Sequence, residues 1–137
     1  MQLSINKKDK IHLIGIGGIG MSGIALILKK MGYEVQGSDI SKNNKNLLSL
    51  KKNKIKIFAS HTALNVDKAK IVVISTAIDK KNNELQAAIK KKILVITRAD
   101  MLAHIISLKK NIVISGSHGK TTITSLVSTI LNEAKFK

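Results

Sequence analysis

Short runs of β-branched and other apolar residues alternate with segments of helical spacing along most of this 137-residue chain. Five such runs precede residue 110, at 11–16, 34–37, 55–58, 71–75 and 94–97. Helical spacing occurs between them, at 20–31, 42–52, 83–91 and 100–108, and the less regular segment 61–67 has room for a short helix. Strands that alternate with helices are joined by crossovers and form a parallel sheet. The sequence therefore predicts an α/β fold with a Rossmann-like, doubly wound parallel sheet.

A sixth apolar run, at 111–115, begins a different unit. It leads through a glycine turn into a helix with one apolar stripe, formed by Ile123, Leu126, Val127, Ile130 and Leu131. Such a stripe needs a sheet to pack on, and only one further strand is predicted. We therefore predict two domains. Residues 1–109 form a complete nucleotide-binding domain, and residues 110–137 form the first strand, phosphate loop and helix of a second, truncated α/β domain.

Composition excludes several classes of protein. A hydrophobic fraction of 44% predicts a packed core rather than a disordered chain. The absence of cysteine rules out a disulfide scaffold, a thiolate zinc site and a cysteine nucleophile. The longest apolar runs are too short to span a bilayer, and the first ten residues lack the apolar stretch of a signal peptide. We expect a cytoplasmic protein with no membrane partner.

The net charge of +16 raises the question of a nucleic-acid partner. Arg98 is the only arginine among the 24 basic residues, and the aromatic residues are only Tyr33, Phe58 and Phe136. Nucleic-acid readers favour arginine forks and aromatic stacking platforms, whereas these lysines are spread along the whole chain. The pattern favours solvated helix ends and loops over a specific nucleic-acid surface. A non-catalytic basic binding module stays open as an alternative.

The first glycine motif, Gly15-Ile16-Gly17-Gly18-Ile19-Gly20, follows an apolar strand and opens a helix. Glycine lets the backbone turn tightly and approach a pyrophosphate, and the amides at the start of the helix hold the anion. Asp39 follows the second strand, where a carboxylate can accept a ribose hydroxyl. These features predict a nucleotide or dinucleotide site. An NAD-dependent dehydrogenase would use the same turn and stays open here.

The second motif, Gly116-Ser117-His118-Gly119-Lys120-Thr121-Thr122, also lies between a predicted strand and a helix. It follows the physical logic of a P-loop, although the general pattern would require a glycine at Ile114. Backbone amides would cradle phosphates, Lys120 would neutralise the terminal ones, and the Thr121 hydroxyl would reach Mg²⁺. We interpret His118 as a residue that shapes the loop rather than as a catalytic base.

Four motifs in this order resemble the Mur ligase family over essentially the whole chain. They are residues 17–23, the Ser75-Thr76-Ala77-Ile78 turn, residues 98–102, and residues 115–122. The resemblance implies part of an ATP-dependent ligase of peptidoglycan precursor synthesis that joins L-alanine to UDP-N-acetylmuramate through an acyl phosphate. What matches is the UDP-binding first domain of such enzymes and the ATP loop that opens their central domain.

The resemblance also implies roles for individual residues. The diphosphate of the UDP part of the substrate would be lined by Gly15, Gly17, Gly18, Ile19, Gly20, Met21 and Ser22. The ribose and uracil would be surrounded by Asp39, His61, Ser75, Thr76 and Ala77. ATP would be held by Gly116, Ser117, His118, Gly119, Lys120, Thr121 and Thr122. Lys120 would be catalytic and Thr121 would ligate Mg²⁺.

The chain departs from the family pattern in two ways. It has Asn83 and Leu94 where the family usually carries prolines, which costs about 1 kcal/mol of stability per site rather than function. The family's acidic metal ligands, adenine pocket and alanine site all lie beyond residue 137. We therefore expect this chain not to complete the reaction alone, and the missing C-terminal part of a ligase, acting in trans, is a candidate partner.

Overall fold

The computed structural model describes residues 5–41 and 44–135, and its core is a five-stranded sheet. The strands are β1 (Lys10–Ile14), β2 (Glu34–Ser38), β3 (Lys56–Phe58), β4 (Ile71–Ile74) and β5 (Leu94–Thr97). The helices are α1 (Ile19–Lys30), α2 (Lys45–Lys52), α3 (Asn83–Lys90), α4 (Arg98–Ser107) and α5 (Lys120–Glu133), with a short 3₁₀ helix at Ala63–Val66. Every strand pair is parallel, in the order β3-β2-β1-β4-β5. The predicted α/β fold class is confirmed.

Strand β1 forms the centre of the core because its side chains point alternately to the two faces of the sheet. Ile11 and Leu13 pack into the cluster that α1, α2 and α4 cover. Ile14 belongs to a second cluster on the other face, with Val66 of the 3₁₀ helix and Leu85 of α3. Helices on both faces explain why the central strands are apolar almost throughout.

The strand order creates a crevice at the carboxyl end of β1. The chain leaves β1 towards β2 on one side and later returns to form β4 on the other side. The connections on the two sides of β1 diverge there, which is where open α/β sheets bind their ligands. The turn after β1, the end of β2 and the turn after β4 therefore meet at one edge.

The starts of α2 and α4 differ from the predicted ones. The predicted start at Lys42 lies outside the described residues, and α2 begins at Lys45, because the Asn44 side chain accepts a hydrogen bond from Asn46 N and caps it. Helix α4 begins at Arg98 rather than at residue 100, because Thr97 and Asp100 form a capping box. Within the described part of the chain, no helix has the length and apolar character needed to cross a membrane.

The predicted sixth strand at 111–115 is wrong for the structure described here, since these residues carry no strand hydrogen bonds. A strand requires a neighbouring strand, and in the described residues β5 pairs only with β4. Helix α5 does form as predicted, but Ile123, Leu126 and Ile130 on its apolar stripe are 48%, 59% and 65% exposed. The division into two domains stays a prediction.

Candidate functional site

The turn between β1 and α1 is fixed to the end of β2. The amides of Gly15 and Ile16 both donate to the Ser38 carbonyl, at 2.8 and 3.0 Å. Gly15 has φ +72°, a conformation that glycine adopts without steric cost. Gly18 N donates back to Gly15 O at 3.1 Å and closes the turn. Backbone hydrogen bonds thus set the path of the glycine motif before any ligand is considered.

Side chains bond both the N–H and the carbonyl of Gly17. Its N–H donates to Asp39 Oδ2 at 2.8 Å, and its carbonyl accepts hydrogen bonds from Asn44 Nδ2 and Asn46 Nδ2, each at 2.8 Å. A Cβ at position 17 would lie 2.8 Å from Asp39 Oδ2 and 2.9 Å from both Asn44 Nδ2 and a Leu47 methyl. Glycine is therefore required here by space, and we call these contacts the Gly17 clamp.

Asp39 has a structural task that the sequence did not predict. Its Oδ2 accepts the Gly17 amide, and its Oδ1 accepts the Ser41 amide at 2.8 Å. The carboxylate thereby ties the glycine turn to the segment after β2. A carboxylate has further lone pairs available, so the predicted contact with a ribose hydroxyl stays a prediction.

The amides at the start of α1 supply hydrogen-bond donors. The first bond inside the helix runs from Ser22 N to Gly18 O, so the amides of Ile19, Gly20 and Met21 have no helical acceptor. No side chain caps this end, and the first turn carries no acidic residue. Free amides and the positive end of the helix dipole together favour an anion.

These amides border an open cavity of about 360 Å³ at the carboxyl ends of the strands. That volume lies within the range of small-ligand sites. The lining includes most of the predicted substrate-binding residues, namely Gly15, Gly18, Ile19, Gly20, Met21, Asp39, Ser75 and Ala77. It also includes three residues that the sequence analysis did not assign to the site, namely Asn44, Ile78 and Arg98.

Arg98 brings a positive charge to this cavity. It is the first residue of α4, and its guanidinium lies so close to Gly20 that a Cβ there would strike it. The capping box fixes this helix start: Thr97 Oγ1 accepts Asp100 N at 3.1 Å and donates to Asp100 Oδ2 at 2.6 Å. Hydrogen bonds from Thr97 hold the pKa of Asp100 below its usual value. The signal in the sequence was available, since Arg98 is the single arginine of a lysine-rich chain.

Four predicted substrate-binding residues do not line the cavity. Gly17 is in the clamp, and buried Ser22 donates its hydroxyl to Ile19 O at 3.1 Å. Thr76 is exposed in the turn after β4, which Ile78 N closes by donating to Ser75 O at 3.2 Å. His61 lies beyond the end of β2, against Ser38.

A buried polar cluster joins His61 to Glu84, the second residue of α3. Glu84 is fully buried, and its Oε2 lies 3.0 Å from His61 Nδ1 and 2.5 Å from Ser38 Oγ. Its Oε1 accepts Asn65 Nδ2 at 2.6 Å and lies 3.4 Å from His12 Nε2. Burial by itself would raise the pKa of Glu84, but His12, Ser38 and Asn65 outweigh burial and lower it. Sequence reasoning missed Glu84, because an acid in the first turn of a helix looks like ordinary capping.

The second glycine loop is assembled but open to solvent. Gly119 has φ +76° at the start of α5, and Lys120 Nζ donates to Gly116 O at 2.5 Å. The first bond inside the helix is from Ile123 N to Gly119 O, which leaves the amides of residues 120–122 free. Every residue from 116 to 122, including Ser117, His118 and Thr121, is exposed.

The chain is similar to known proteins over most of its length. A family model described as "Mur ligase family, catalytic domain" matches residues 10–110. A UDP-N-acetylmuramate–L-alanine ligase of Pelagibacter ubique (strain HTCC1062) is 56% identical over 135 residues, which is 98% of this chain and 29% of that protein. A protein of the same name from Rickettsia bellii (strain OSU 85-389) is 51% identical over 92% of this chain and 26% of its own length.

Solved structures of ligases are also similar to this chain. A UDP-N-acetylmuramate–alanine ligase from Thermotoga maritima matches with a TM-score of 0.83 at 32% identity, over 92% of this chain and 30% of that chain. A UDP-N-acetylmuramate:L-alanyl-γ-D-glutamyl-meso-diaminopimelate ligase from Neisseria meningitides matches with a TM-score of 0.82 at 28% identity. This chain spans less than a third of the length of the curated relatives named above.

Proposed function

The chain belongs to the Mur ligase family, and from that premise we propose that it receives UDP-N-acetylmuramate for a ligase of peptidoglycan precursor synthesis. The whole enzyme would join L-alanine to this substrate at the expense of ATP. The observation that carries the proposal is the cavity at the start of α1, where free helix amides and the Arg98 guanidinium meet. Both features favour a phosphate-bearing ligand.

The diphosphate of the substrate fits the glycine motif best. The amides of Ile19, Gly20 and Met21 have no helical acceptor, and Arg98 adds charge-assisted donors beside Gly20. The Gly17 clamp keeps the turn rigid, so these donors need little rearrangement when an anion arrives. The proposed work of these residues is to hold the substrate by its nucleotide and to present its distant carboxylate for reaction.

The sugar and base of the nucleotide would lie along the ends of β2 and β4. Asp39 and the Ser75–Ala77 turn border the cavity on these two sides. His61 Nδ1 lies 2.9 Å from the hydroxyl of Ser38, and Ser38 is the residue that precedes Asp39 in the chain. We propose that Asp39, His61, Ser75, Thr76 and Ala77 surround the ribose and uracil, as the resemblance of the motifs implies.

Gly116 to Thr122 are proposed to hold ATP. The free amides of residues 120–122 and the Lys120 ammonium suit a polyphosphate, and the exposed Thr121 hydroxyl is an oxygen donor of the type that Mg²⁺ accepts. Bound ATP would supply the phosphoryl group that activates the muramyl carboxylate. The residues of this chain would position the phosphates and neutralise their charge, with Lys120 exchanging its bond to Gly116 O for a phosphate oxygen.

Calorimetry on the 137-residue chain tests the nucleotide site. UDP-N-acetylmuramate should bind without ATP, and NAD should bind more weakly or not at all. Arg98→Ala should lower the affinity about tenfold to a hundredfold, the value of a charge-assisted hydrogen bond. Lys29→Ala is the matched control, because it removes the same charge from the other end of α1 and should leave binding unchanged.

Two results would contradict the proposal. Equal affinity for NAD and for the UDP-sugar would favour a dinucleotide site. Binding that disappears between low and moderate salt, without preference among nucleotides, would favour a general polyanion surface.

A further inference from the structure

The cluster around Glu84 fixes where the protons of His61 lie. Three atoms are mutually close: Ser38 Oγ and Glu84 Oε2 at 2.5 Å, Ser38 Oγ and His61 Nδ1 at 2.9 Å, and His61 Nδ1 and Glu84 Oε2 at 3.0 Å. An ionised carboxylate only accepts, and the Ser38 hydroxyl has one hydrogen to donate. Without a proton on Nδ1, at least one of these contacts would bring two acceptors together. His61 Nδ1 therefore carries a hydrogen, which it donates towards Glu84.

The other carboxylate oxygen is also surrounded by donors. Gln36 Nε2 donates to Asn65 O at 2.8 Å, which fixes the orientation of the Gln36 amide. The same Nε2 lies 3.2 Å from His12 Nδ1, so this ring nitrogen accepts and the hydrogen of a neutral His12 is on Nε2, facing Glu84. Asn65 Nδ2 donates to Glu84 Oε1 at 2.6 Å. Donors on all sides keep Glu84 ionised, in agreement with its lowered pKa.

His61 itself reaches the surface. Its side chain is 19% exposed, whereas that of Glu84 is fully buried. In the described part of the chain its Nε2 makes no hydrogen bond. With the hydrogen on Nδ1, Nε2 of the neutral ring is a bare acceptor. Since His61 Nδ1 contacts Ser38, the residue before Asp39, the His61 ring lies beside the segment that borders the proposed nucleotide site.

We propose that Glu84 is a positioning residue, which holds His61 in the Nδ1–H form so that Nε2 accepts a hydrogen bond from an N–H or O–H of the bound nucleoside. The inference rests on the proposed function, because the UDP part of the substrate supplies that donor. Glu84 does not touch the substrate. It acts through His61 alone, and the test must separate this action from simple support of the fold.

The tautomer can be read directly by ¹⁵N NMR of the histidine rings in the 137-residue chain, near pH 8, with His61→Ala used for assignment. We expect Nδ1 of His61 to be protonated and Nε2 to be bare. In Glu84→Gln, either amide orientation turns an N–H₂ towards a donor, so His61 should become a mixture of both tautomers. Glu34→Gln is the matched control, because Glu34 is a half-exposed carboxylate paired with Lys10 and should leave His61 unchanged.

Binding of UDP by calorimetry gives the second readout. Glu84→Gln should lower the affinity in proportion to the share of His61 that leaves the Nδ1–H form, up to about tenfold, the value of one neutral hydrogen bond. In a His61→Ala background the same substitution should cause no further loss, since the two residues act as one unit. Equal losses in both backgrounds would show mere structural support and overturn the proposal.

The tautomer measurement on the unmutated chain does not depend on how the variants fold. A hydrogen on Nε2 of His61 there would overturn the inference at once. A chain that binds no UDP but keeps His61 in the Nδ1–H form would instead overturn the proposed function, so the two failures are distinguishable.

Discussion

Replacing Gly17 by alanine should destabilise the chain by about 3 kcal/mol, the cost of one charge-assisted and one neutral hydrogen bond. The added Cβ would lie 2.8 Å from Asp39 Oδ2 and 2.9 Å from Asn44 Nδ2. Both atoms bond the Gly17 peptide itself, so they cannot move away without breaking those bonds. The buried Leu47 closes the third side, also at 2.9 Å.

Urea unfolding of the 137-residue chain measures this cost, and calorimetry with UDP measures its effect on the site. The affinity for UDP should fall with the stability, because the amides at the start of α1 are oriented by the turn that the clamp holds. Gly23→Ala is the matched control. Apart from its chain neighbours and the backbone of its own helix, no atom lies within 4 Å of a Cβ added at Gly23, and alanine in a helix should stabilise by about 0.5–1 kcal/mol.

The origin of the cost can also be tested. In an Asp39→Ala background the Gly17→Ala substitution should lose roughly half of its effect, because one of the two hydrogen bonds is already absent. Equal free energies of unfolding for Gly17→Ala and Gly23→Ala would refute the reasoning. The reasoning would also be refuted if Gly17→Ala cost the same free energy of unfolding in the Asp39→Ala background as in the unmutated chain.

Two further predictions concern acidity and local stability. Because the pKa of Glu84 is lowered in the fold, its contribution to stability is present above the ordinary glutamate pKa of about 4.3 and is lost as the pH falls through the lowered value. Glu84→Gln should therefore be more destabilising at pH 7 than at pH 3, measured by urea unfolding; an equal penalty at both pH values would contradict this. No residue of α5 is buried, so amides after Lys110 should exchange with solvent faster than those of residues 11–100. Strong protection across 111–135 would contradict this expectation.

The sheet could be predicted from the sequence because its signals are local. Each strand from β1 to β5 overlaps an apolar run, and the 3₁₀ helix falls within the irregular segment 61–67. The boundaries differ by a few residues, since a cap such as Asn44 decides them through one side-chain bond. The strand predicted at 111–115 fails for a different reason, because strand formation depends on a partner that no local pattern can supply.

The cavity lining was predicted from the sequence at the glycine turn, at Asp39 and at the turn after β4. The glycine motif indicated which peptides would face an anion, and most of its residues line the cavity. Arg98 and Glu84 were missed because crossovers bring them to the glycine turn and to His61 from 78 and 23 residues away in the chain. A side chain added at Gly17 would enter the Gly17 clamp, which the glycine pattern alone does not reveal.

Asp39 illustrates how a carboxylate is accommodated at the edge of a site for anions. A free carboxylate would repel a diphosphate, and the repulsion would be large in a partly buried cavity. Here both oxygens accept backbone amides, from Gly17 and from Ser41, so the carboxylate is directed towards the glycine turn and the segment after β2. Arg98 stands at the cavity as an opposing positive charge. The same acid at the end of β2 that suggested a ribose contact therefore also keeps the glycine turn in place, and the two tasks do not exclude each other.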